Sequence, residues 1–325
     1  MHIELHNTEK IIMQNTDKLK KSDLQLAENL ERFRRHKLLL QKLNRKFQSV
    51  ISNSQKRRRI CECGSFLKFN LYQHIETDEQ MRSLIGANFC KFRFCPMCSW
   101  RKARTLCNEV LQKINSVSEV HNGVAFLFLT LTVKNPPITE LNASVKHLNN
   151  SFMRMSKIQA FKRAVLGYVR AVEFVGDNTH EGEAHPHFHC LLVVRKSYFK
   201  SRDYLNQSHW TEMWKSALRV EYTPLVNVKR IKAKGTLSAL QSACLEVVKY
   251  AVSFSDMSKM TTDDIKELFK QTRGVRQYAL GGEVKTAELS ETQVFSEDEW
   301  DLIGEELFQW SADNYQRYMI KDKLE

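Results

Sequence analysis

The chain has 325 residues, of which 42% are hydrophobic and 27% charged, so it is long enough to bury a sizeable core. No apolar run approaches the roughly 18 residues of a membrane span. The first ten residues are polar and charged and lack the apolar centre of a secretory signal. We therefore expect a cytoplasmic protein with reduced thiols and without a membrane partner.

The charge of the chain is strongly positive and unevenly distributed. The net charge is +13, but residues 285–325 carry 11 acidic and four basic side chains, so residues 1–284 carry +20. Clustered Lys and Arg gain free energy by releasing counterions from phosphates, which favours a nucleic-acid partner. A merely well-solvated surface is the alternative.

The N-terminal segment is basic and amphipathic. Residues 1–60 contain 15 Lys and Arg against six acids, and apolar residues recur at helical spacing from Ser22 to Ser49. This pattern predicts a long helix. Its role is open between an arm on DNA, a homodimer contact and a helix packed on the next domain.

The rest of the chain alternates between strand and helix patterns. The apolar run at 124–133 predicts a buried strand, and further strands are expected at 166–175, 187–194 and 225–232, with helices at 139–155, 210–217 and 236–253. The predicted fold class is α+β, a central antiparallel sheet with covering helices. We expect four segments: a basic helical segment (1–60), a cysteine-rich module (61–110), a catalytic domain (111–285) and an acidic tail (286–325).

A candidate metal site lies in the predicted hairpin. Side chains alternate along a strand, so His187 and His189 point to one face and Phe188 to the other. Glu173 on the partner strand adds a carboxylate suited to Mg²⁺ or Mn²⁺. His185 is left out of the set because it precedes Pro186. Solvated or core hydrogen-bonding histidines are the alternative.

Glu246 and Tyr250 stand four residues apart in a predicted helix, so both side chains lie on one face. A phenol with a pKa of roughly 10 needs a metal-polarised phosphorus centre or a nearby base before it can act as a nucleophile. Glu246 is a candidate general base. A tyrosine in the core or on the surface is the alternative.

The cysteines form a second constellation. Three of them are spaced as zinc ligands, and either Cys61 or Cys63 completes a Cys₄ site; Gly64 suits a ligand turn after Cys63. The three are Cys90, Cys95 and Cys98. Disulfides and free buried thiols are the alternatives. Five basic residues near these cysteines are candidate phosphate contacts: Lys91, Arg93, Arg101, Lys102 and Arg104.

The order of three motifs carries a family resemblance. FLTLT at 128–132, HPHFH at 185–189 and EVVKY at 246–250 resemble the motifs of HUH-type replication initiators, and specifically the single-tyrosine Rep proteins of rolling-circle plasmids. The cysteine-rich segment at 88–104 is similar to that family's upstream motif, and the family pattern also has a cysteine at the position of Cys63. The resemblance covers about 61–285. One departure is Ser253, where members often carry a basic residue; Lys249 is a candidate substitute.

The resemblance implies a plasmid replication initiator with an HUH-type catalytic sheet. His187, His189 and Glu173 would bind the catalytic Mg²⁺ or Mn²⁺, Tyr250 would attack the nick site in origin DNA, and Glu246 would assist termination. Structural Zn²⁺, a host helicase and a host polymerase are implied with it. A transposase or relaxase, and a non-catalytic zinc-dependent DNA-binding regulator, are the rival functions.

Overall fold

The computed structural model describes residues 21–176, 179–232, 240–241, 244, 247, 254–289 and 299–322. These residues form two compact units. The first unit contains the described residues of 21–45, 53–98 and 299–322, and the second contains those of 46–52 and 99–289. Both units combine helices with an antiparallel sheet, so the predicted α+β class with an N-terminal helix and a cysteine cluster is confirmed.

The secondary-structure elements follow in chain order. The helices are α1 (Lys21–Val50), α2 (Ser54–Cys61), α3 (Pro96–Val120), α4 (Leu141–Met155), α5 (Gln159–Ala164), α6 (Gln207–Leu218), α7 (Phe254–Lys259), α8 (Thr262–Gln271) and α9 (Glu283–Thr286). The strands are β1 (Phe66–His74), β2 (Gln80–Ala87), β3 (Val124–Thr132), β4 (Gly167–Glu173), β5 (His187–Arg195), β6 (Val226–Ile231), β7 (Tyr278–Gly282), β8 (Trp300–Ser311) and β9 (Asn314–Asp322).

The first unit contains a four-stranded sheet in the order β2-β1-β8-β9. Strands β8 and β9 lie within the segment predicted as an acidic tail. Their acids are matched by cations: buried Glu306 accepts from Arg82 at 2.8 Å and from Arg317 at 2.9 Å, and Glu305 pairs with Lys68 at 2.8 Å. Pairing of this kind allows an acidic segment to join a sheet. The four-segment division of the chain remains a prediction.

Helix α1 carries an apolar stripe along one side. Leu26, Phe33 and Leu40 are each less than 8% exposed, and the Phe33 ring lies 6.4 Å from that of Tyr315 on β9. Burial of apolar surface is the main force that fixes such a helix. These residues therefore pack on the sheet of their own unit, and an arm on DNA and a homodimer contact remain predictions for the helix.

The second unit contains a five-stranded sheet in the order β6-β3-β5-β4-β7. Strand β5 is its central member and pairs with β3 on one side and β4 on the other. All four strands predicted from the sequence for this region are present, within three residues of their expected ends. The fifth strand, β7, pairs with β4 and has no counterpart in the prediction.

Helices cover both faces of this sheet. On one face, Phe188 of β5 packs edge-to-face against Phe152 of α4, with ring centroids 5.9 Å apart. On the other face, Leu191 and Val193 share a buried core with residues 107–117 of α3 and with two residues of the predicted 236–253 helix, Cys244 and Val247. Because side chains alternate along a strand, residues 187 and 189 share a face with residues 191 and 193 of β5 and project to this second face.

Only part of the predicted helix at 236–253 is described: residues 240, 241, 244 and 247 are helical, and the others lie outside the described residues. Across the described parts of the chain, no helix combines the length and apolar character of a membrane span.

Candidate metal centres

The β4–β5 hairpin brings three candidate ligands together. In its register Glu173 lies opposite His187, and Ala171 lies opposite His189. The carboxylate and both imidazoles therefore project from one face of adjacent strands. Phe188, between the two histidines, is 1% exposed on the opposite face, as the alternation predicts. The hairpin register thus brings the three ligands together, and the alternation of side chains places the apolar Phe188 on the opposite face.

The three donor atoms are mutually close. The two Nε2 atoms of His187 and His189 are 3.0 Å apart, and Oε2 of Glu173 lies 2.7 Å from Nε2 of His189 and 3.2 Å from Nε2 of His187. Ligands bonded at about 2.1 Å in octahedral geometry stand about 3.0 Å apart. The spacing of the three donor atoms therefore matches one triangular face of an octahedral divalent-ion site.

Neighbouring groups orient both imidazoles. The Nδ1 of His187 donates to the carbonyl oxygen of His185 at 2.8 Å, because a carbonyl can only accept. Its Nε2 therefore faces the cluster, and a ring bound to a metal would present the lone pair of that nitrogen to the ion. The Nδ1 of His189 lies 3.3 Å from Oγ1 of Thr130, and its ring stacks on Phe128 at 5.3 Å.

The charge on Glu173 is stabilised by the histidines. Burial alone would raise the pKa of this carboxyl, but hydrogen bonds and charges from His187 and His189 outweigh it and lower the pKa to about 2. Burial lowers the pKa of the neighbouring His185, whose Nδ1 lies 2.6 Å from Oδ1 of Asn135. Glu173 is thus an anion at neutral pH, the form in which a carboxyl group binds Mg²⁺ or Mn²⁺.

Three predicted site residues, Tyr250, Glu246 and Lys249, lie outside the described residues. The described residues Cys244 and Val247, 0% and 1% exposed, belong to the core on the sheet face that bears the histidines. Tyr250 follows Val247 by three positions in the sequence. The roles of these three residues remain predictions.

A second cluster contains four cysteines, with free thiols at Cys63, Cys90, Cys95 and Cys98. The Sγ of Cys63 lies 3.5 Å from those of Cys95 and Cys98, and Cys90 and Cys98 are 3.6 Å apart. Tetrahedral Zn–S bonds of about 2.3 Å place sulfurs about 3.8 Å apart. This cluster could therefore bind a structural Zn²⁺. Cys61 is exposed and is not a member, which agrees with the preference for Cys63.

Backbone groups support thiolates in this cluster. The N–H of Lys91 donates to Sγ of Cys98 at 3.3 Å, and the N–H of Cys90 donates to Sγ of Cys63 at 3.3 Å. Hydrogen bonds from Cys63, Cys90 and Cys95 lower the pKa of Cys98, and the Lys91 N–H lowers it further. Thiolates that accept backbone hydrogen bonds are the form of cysteine that binds zinc.

Lys37 of α1 also contacts the cysteine segment, and the sequence analysis did not single it out. It is 3% exposed, and its Nζ donates to the carbonyl oxygens of Cys63 at 2.8 Å and Cys61 at 3.1 Å. Burial lowers its pKa, while the nearby cysteines oppose that change. The available signal was its position in the helical stripe, between Phe33 and Leu40, where an apolar residue is expected.

The predicted phosphate contacts are at least partly exposed: Lys91, Lys102 and Arg104 are exposed, and Arg93 and Arg101 are partly buried. In the first unit Phe92 packs edge-to-face on Phe94 at 5.8 Å. In the second unit the Arg104 guanidinium lies 5.7 Å from the Trp100 ring. Contacts of these residues with DNA remain predictions.

Comparison with known proteins identifies the family. A family model described as "Replication protein" matches residues 81–322. "Protein rep" of Streptococcus pneumoniae serotype 2 (strain D39 / NCTC 7466) is 32% identical over 304 residues, covering 90% of this chain and 92% of that protein. "Protein rep" of Lentilactobacillus hilgardii is 34% identical and covers 71% and 74%. "Protein rep" of Lactiplantibacillus plantarum is 36% identical and covers 69% and 71%. No solved structure matches. The chain therefore belongs to the Replication protein family, as its resemblance to plasmid Rep proteins predicted.

Proposed function

We propose that this replication protein initiates rolling-circle replication of a plasmid by nicking one strand of origin DNA. The main support for this proposal is the convergence of Glu173, His187 and His189, whose donor atoms lie 2.7–3.2 Å apart on one sheet face. A divalent ion there, Mg²⁺ or Mn²⁺, would supply Lewis-acid polarisation of the scissile phosphate. The three side chains would hold this ion at the sheet face where the phosphate binds.

Tyr250 is the proposed nucleophile. Its phenolic oxygen loses its proton and attacks phosphorus, and the bond from phosphorus to the 3′ oxygen breaks. The tyrosine is then joined to the 5′ phosphate, and the departing 3′ oxygen takes up a proton to become a free hydroxyl. A host polymerase would extend this hydroxyl, with a host helicase separating the strands. The buried neighbours Cys244 and Val247 support this assignment, because they pack on the face that bears the metal ligands.

The covalent link conserves the energy of the broken phosphodiester. Attack by a 3′ hydroxyl on the phosphotyrosine reverses the first step and rejoins the strand without a nucleotide cofactor. Glu246 is the proposed general base for termination, where it would take a proton from the water that hydrolyses the link. Lys249 and the exposed cations near the cysteines are proposed backbone contacts, and the chain is proposed to work in the cytoplasm, where the plasmid is.

The test is formation of a covalent protein–DNA adduct. Full-length protein is incubated with Mn²⁺ and labelled single-stranded oligonucleotides that tile the replicon encoding it, then denatured and resolved by electrophoresis. We expect an adduct with one oligonucleotide, lost with EDTA and lost in Tyr250→Phe. Tyr318→Phe removes a phenol that is 70% exposed in the first unit and serves as the matched control. An adduct that persists in Tyr250→Phe would overturn the assignment of the nucleophile.

A further inference from the structure

A positively charged cleft lies in the second unit, between α4 and the loop from α8 to β7. Its volume is 370 Å³, within the range of small-molecule sites. Three cations line it, Lys146, Arg273 and Arg276, and all three are exposed. No carboxylate is among its lining residues, which also include two asparagines, two valines and a glycine. A concave surface with cations alone attracts anions.

A further cation adjoins this cleft. Arg170 of β4 donates from Nη1 to Oδ1 of Asn149, a lining residue, at 2.6 Å. Its guanidinium lies 4.2 Å from the Phe188 ring centroid and 4.8 Å from that of Phe152. Its Nε is buried without a hydrogen-bond partner. Within the described residues Arg170 forms no salt bridge, so its positive charge adds to the field around the cleft.

The loop that forms the rim is held in place before any ligand binds. The backbone N–H of Asn142 donates to Oε1 of Gln271 at 3.1 Å, and its Nδ2 donates to the Gln271 carbonyl at 2.8 Å. Gly274 turns the loop with a φ of +74°, which L side chains rarely adopt. The carboxylate of Glu267 on α8 accepts from Lys270 and Gln271. The cations at 273 and 276 are therefore presented by an anchored turn.

The cleft is separate from the candidate catalytic site. Arg170 pairs with Cys190 across the strands, and Phe188 with Val172, so they share the sheet face covered by α4. Glu173, His187 and His189 project from the opposite face. A strand bound at the metal ligands would therefore need to continue past an edge of the sheet, or a different segment of the DNA would need to reach the cleft.

We propose that this cleft binds phosphates of the DNA backbone, through Lys146, Arg273 and Arg276, on the sheet face opposite the metal ligands. The inference rests on the proposed function only in taking the polyanion to be origin DNA. Contacts of this kind position a protein on DNA without reading bases. They would anchor duplex beside the nick site while the opposite face engages the strand to be cut.

The test measures DNA binding without cleavage. Binding of a fluorescein-labelled duplex of mixed sequence to the full chain is followed by anisotropy over a series of salt concentrations, with EDTA present. Each phosphate contact contributes about 0.9 to the slope of log K against log salt. We expect Arg273→Ala/Arg276→Ala to reduce the magnitude of that slope by about 1.8 and to weaken binding.

The control removes two exposed cations outside the cleft, Lys157→Ala/Lys162→Ala. An equal loss of slope in this control, or an unchanged slope in Arg273→Ala/Arg276→Ala, would overturn the inference. Inorganic phosphate at constant ionic strength tests the other source of anion. If it raises the melting temperature of the wild type but not of the cleft variant, and the DNA slope is unchanged, a free phosphate is the ligand and the DNA inference is overturned.

This binding assay is independent of nicking. Failure of the wild type to form a covalent adduct would refute the proposed catalytic function and leave the slope interpretable. Normal adduct formation with an unchanged slope in the cleft variant would refute only the proposed binding of DNA phosphates by the cleft.

Discussion

Replacing Glu173 by Gln should weaken binding of the catalytic ion strongly while preserving the shape of the site. Glu173 supplies the only carboxylate in the described three-residue cluster, and its Oε2 lies within 3.2 Å of both Nε2 atoms. Gln keeps the length and the acceptor oxygen but removes the negative charge. The substitution therefore isolates the electrostatic part of the ligand.

The size of the effect follows from the position of the carboxylate. Groups that only support metal ligands cost about 10–100-fold in metal affinity when removed. Because Glu173 would contact the ion itself, we expect at least the upper end, about 100-fold, which corresponds to about 2.7 kcal/mol. Nicking should fall in parallel at subsaturating Mn²⁺ and recover in part as Mn²⁺ is raised, since the histidines remain.

Electron paramagnetic resonance of free Mn²⁺ measures this affinity directly, because the free ion gives the sharp signal. Glu212→Gln, an exposed carboxylate on α6, is the matched control and should bind Mn²⁺ as the wild type does. An unchanged dissociation constant in Glu173→Gln, with nicking intact, would refute the role of this carboxylate. An equal loss in Glu212→Gln would assign the effect to surface charge instead.

Three further predictions concern stability and the second metal. Cys95→Ser should release zinc and lower the melting temperature, whereas exposed Cys61→Ser should retain one zinc per chain; equal zinc in both variants by atomic absorption would contradict the Cys₄ assignment. In EDTA, the stability difference between wild type and Glu173→Gln should depend on pH. The folded pKa of about 2 lies below the usual 4.5, so the contribution, roughly 3 kcal/mol, is present above pH 4.5 and lost as pH falls toward 2. Chemical denaturation at several pH values checks this, and a difference that grows with acidity would reverse the sign and refute it. Phe188→Ala should cost about 3–5 kcal/mol of unfolding free energy, because the ring is 1% exposed; a loss no larger than for half-exposed Met153→Ala would contradict the packing argument.

The catalytic sheet could be predicted from the sequence because its signals are local. The run at 124–133 consists of apolar and β-branched residues, and the alternation that begins at residue 187 places the two histidines on one face and Phe188 on the other. In both patterns, the residues of the segment alone indicate which side chains are buried. The same alternation predicted which side chains of β5 share a face, and so brought His187 and His189 together before their geometry was known.

The strands of the first unit could not be predicted in this way. Strand β8 contains acids that suggest a solvated tail, and they are accommodated by partners far away in sequence, such as Arg82 for Glu306. Long-range charge compensation leaves no local period to detect. Strand β7 is five residues long and ends in two glycines, which disfavour strands, yet pairing with β4 fixes it.

Part of the site was likewise outside the reach of local patterns. The spacing of Cys90, Cys95 and Cys98 indicated zinc, and Gly64 and the family pattern favoured Cys63 as the fourth ligand, but that Cys63 is buried and Cys61 exposed is a property of the folded chain. Lys37 donates to carbonyls 24 and 26 residues away, and no spacing rule relates these positions. Such contacts follow from tertiary packing alone.

In the proposed reaction residue 250 becomes joined to DNA at the metal site, and peptide mapping of the adduct identifies the residue that carries the DNA. The adduct formed with Mn²⁺ is digested with protease and nuclease and sequenced by mass spectrometry. We expect a nucleotide 5′ phosphate on Tyr250 and none when His187 and His189 are both replaced by Ala. A nucleotide on another residue, or one that still forms in the double variant, would contradict it.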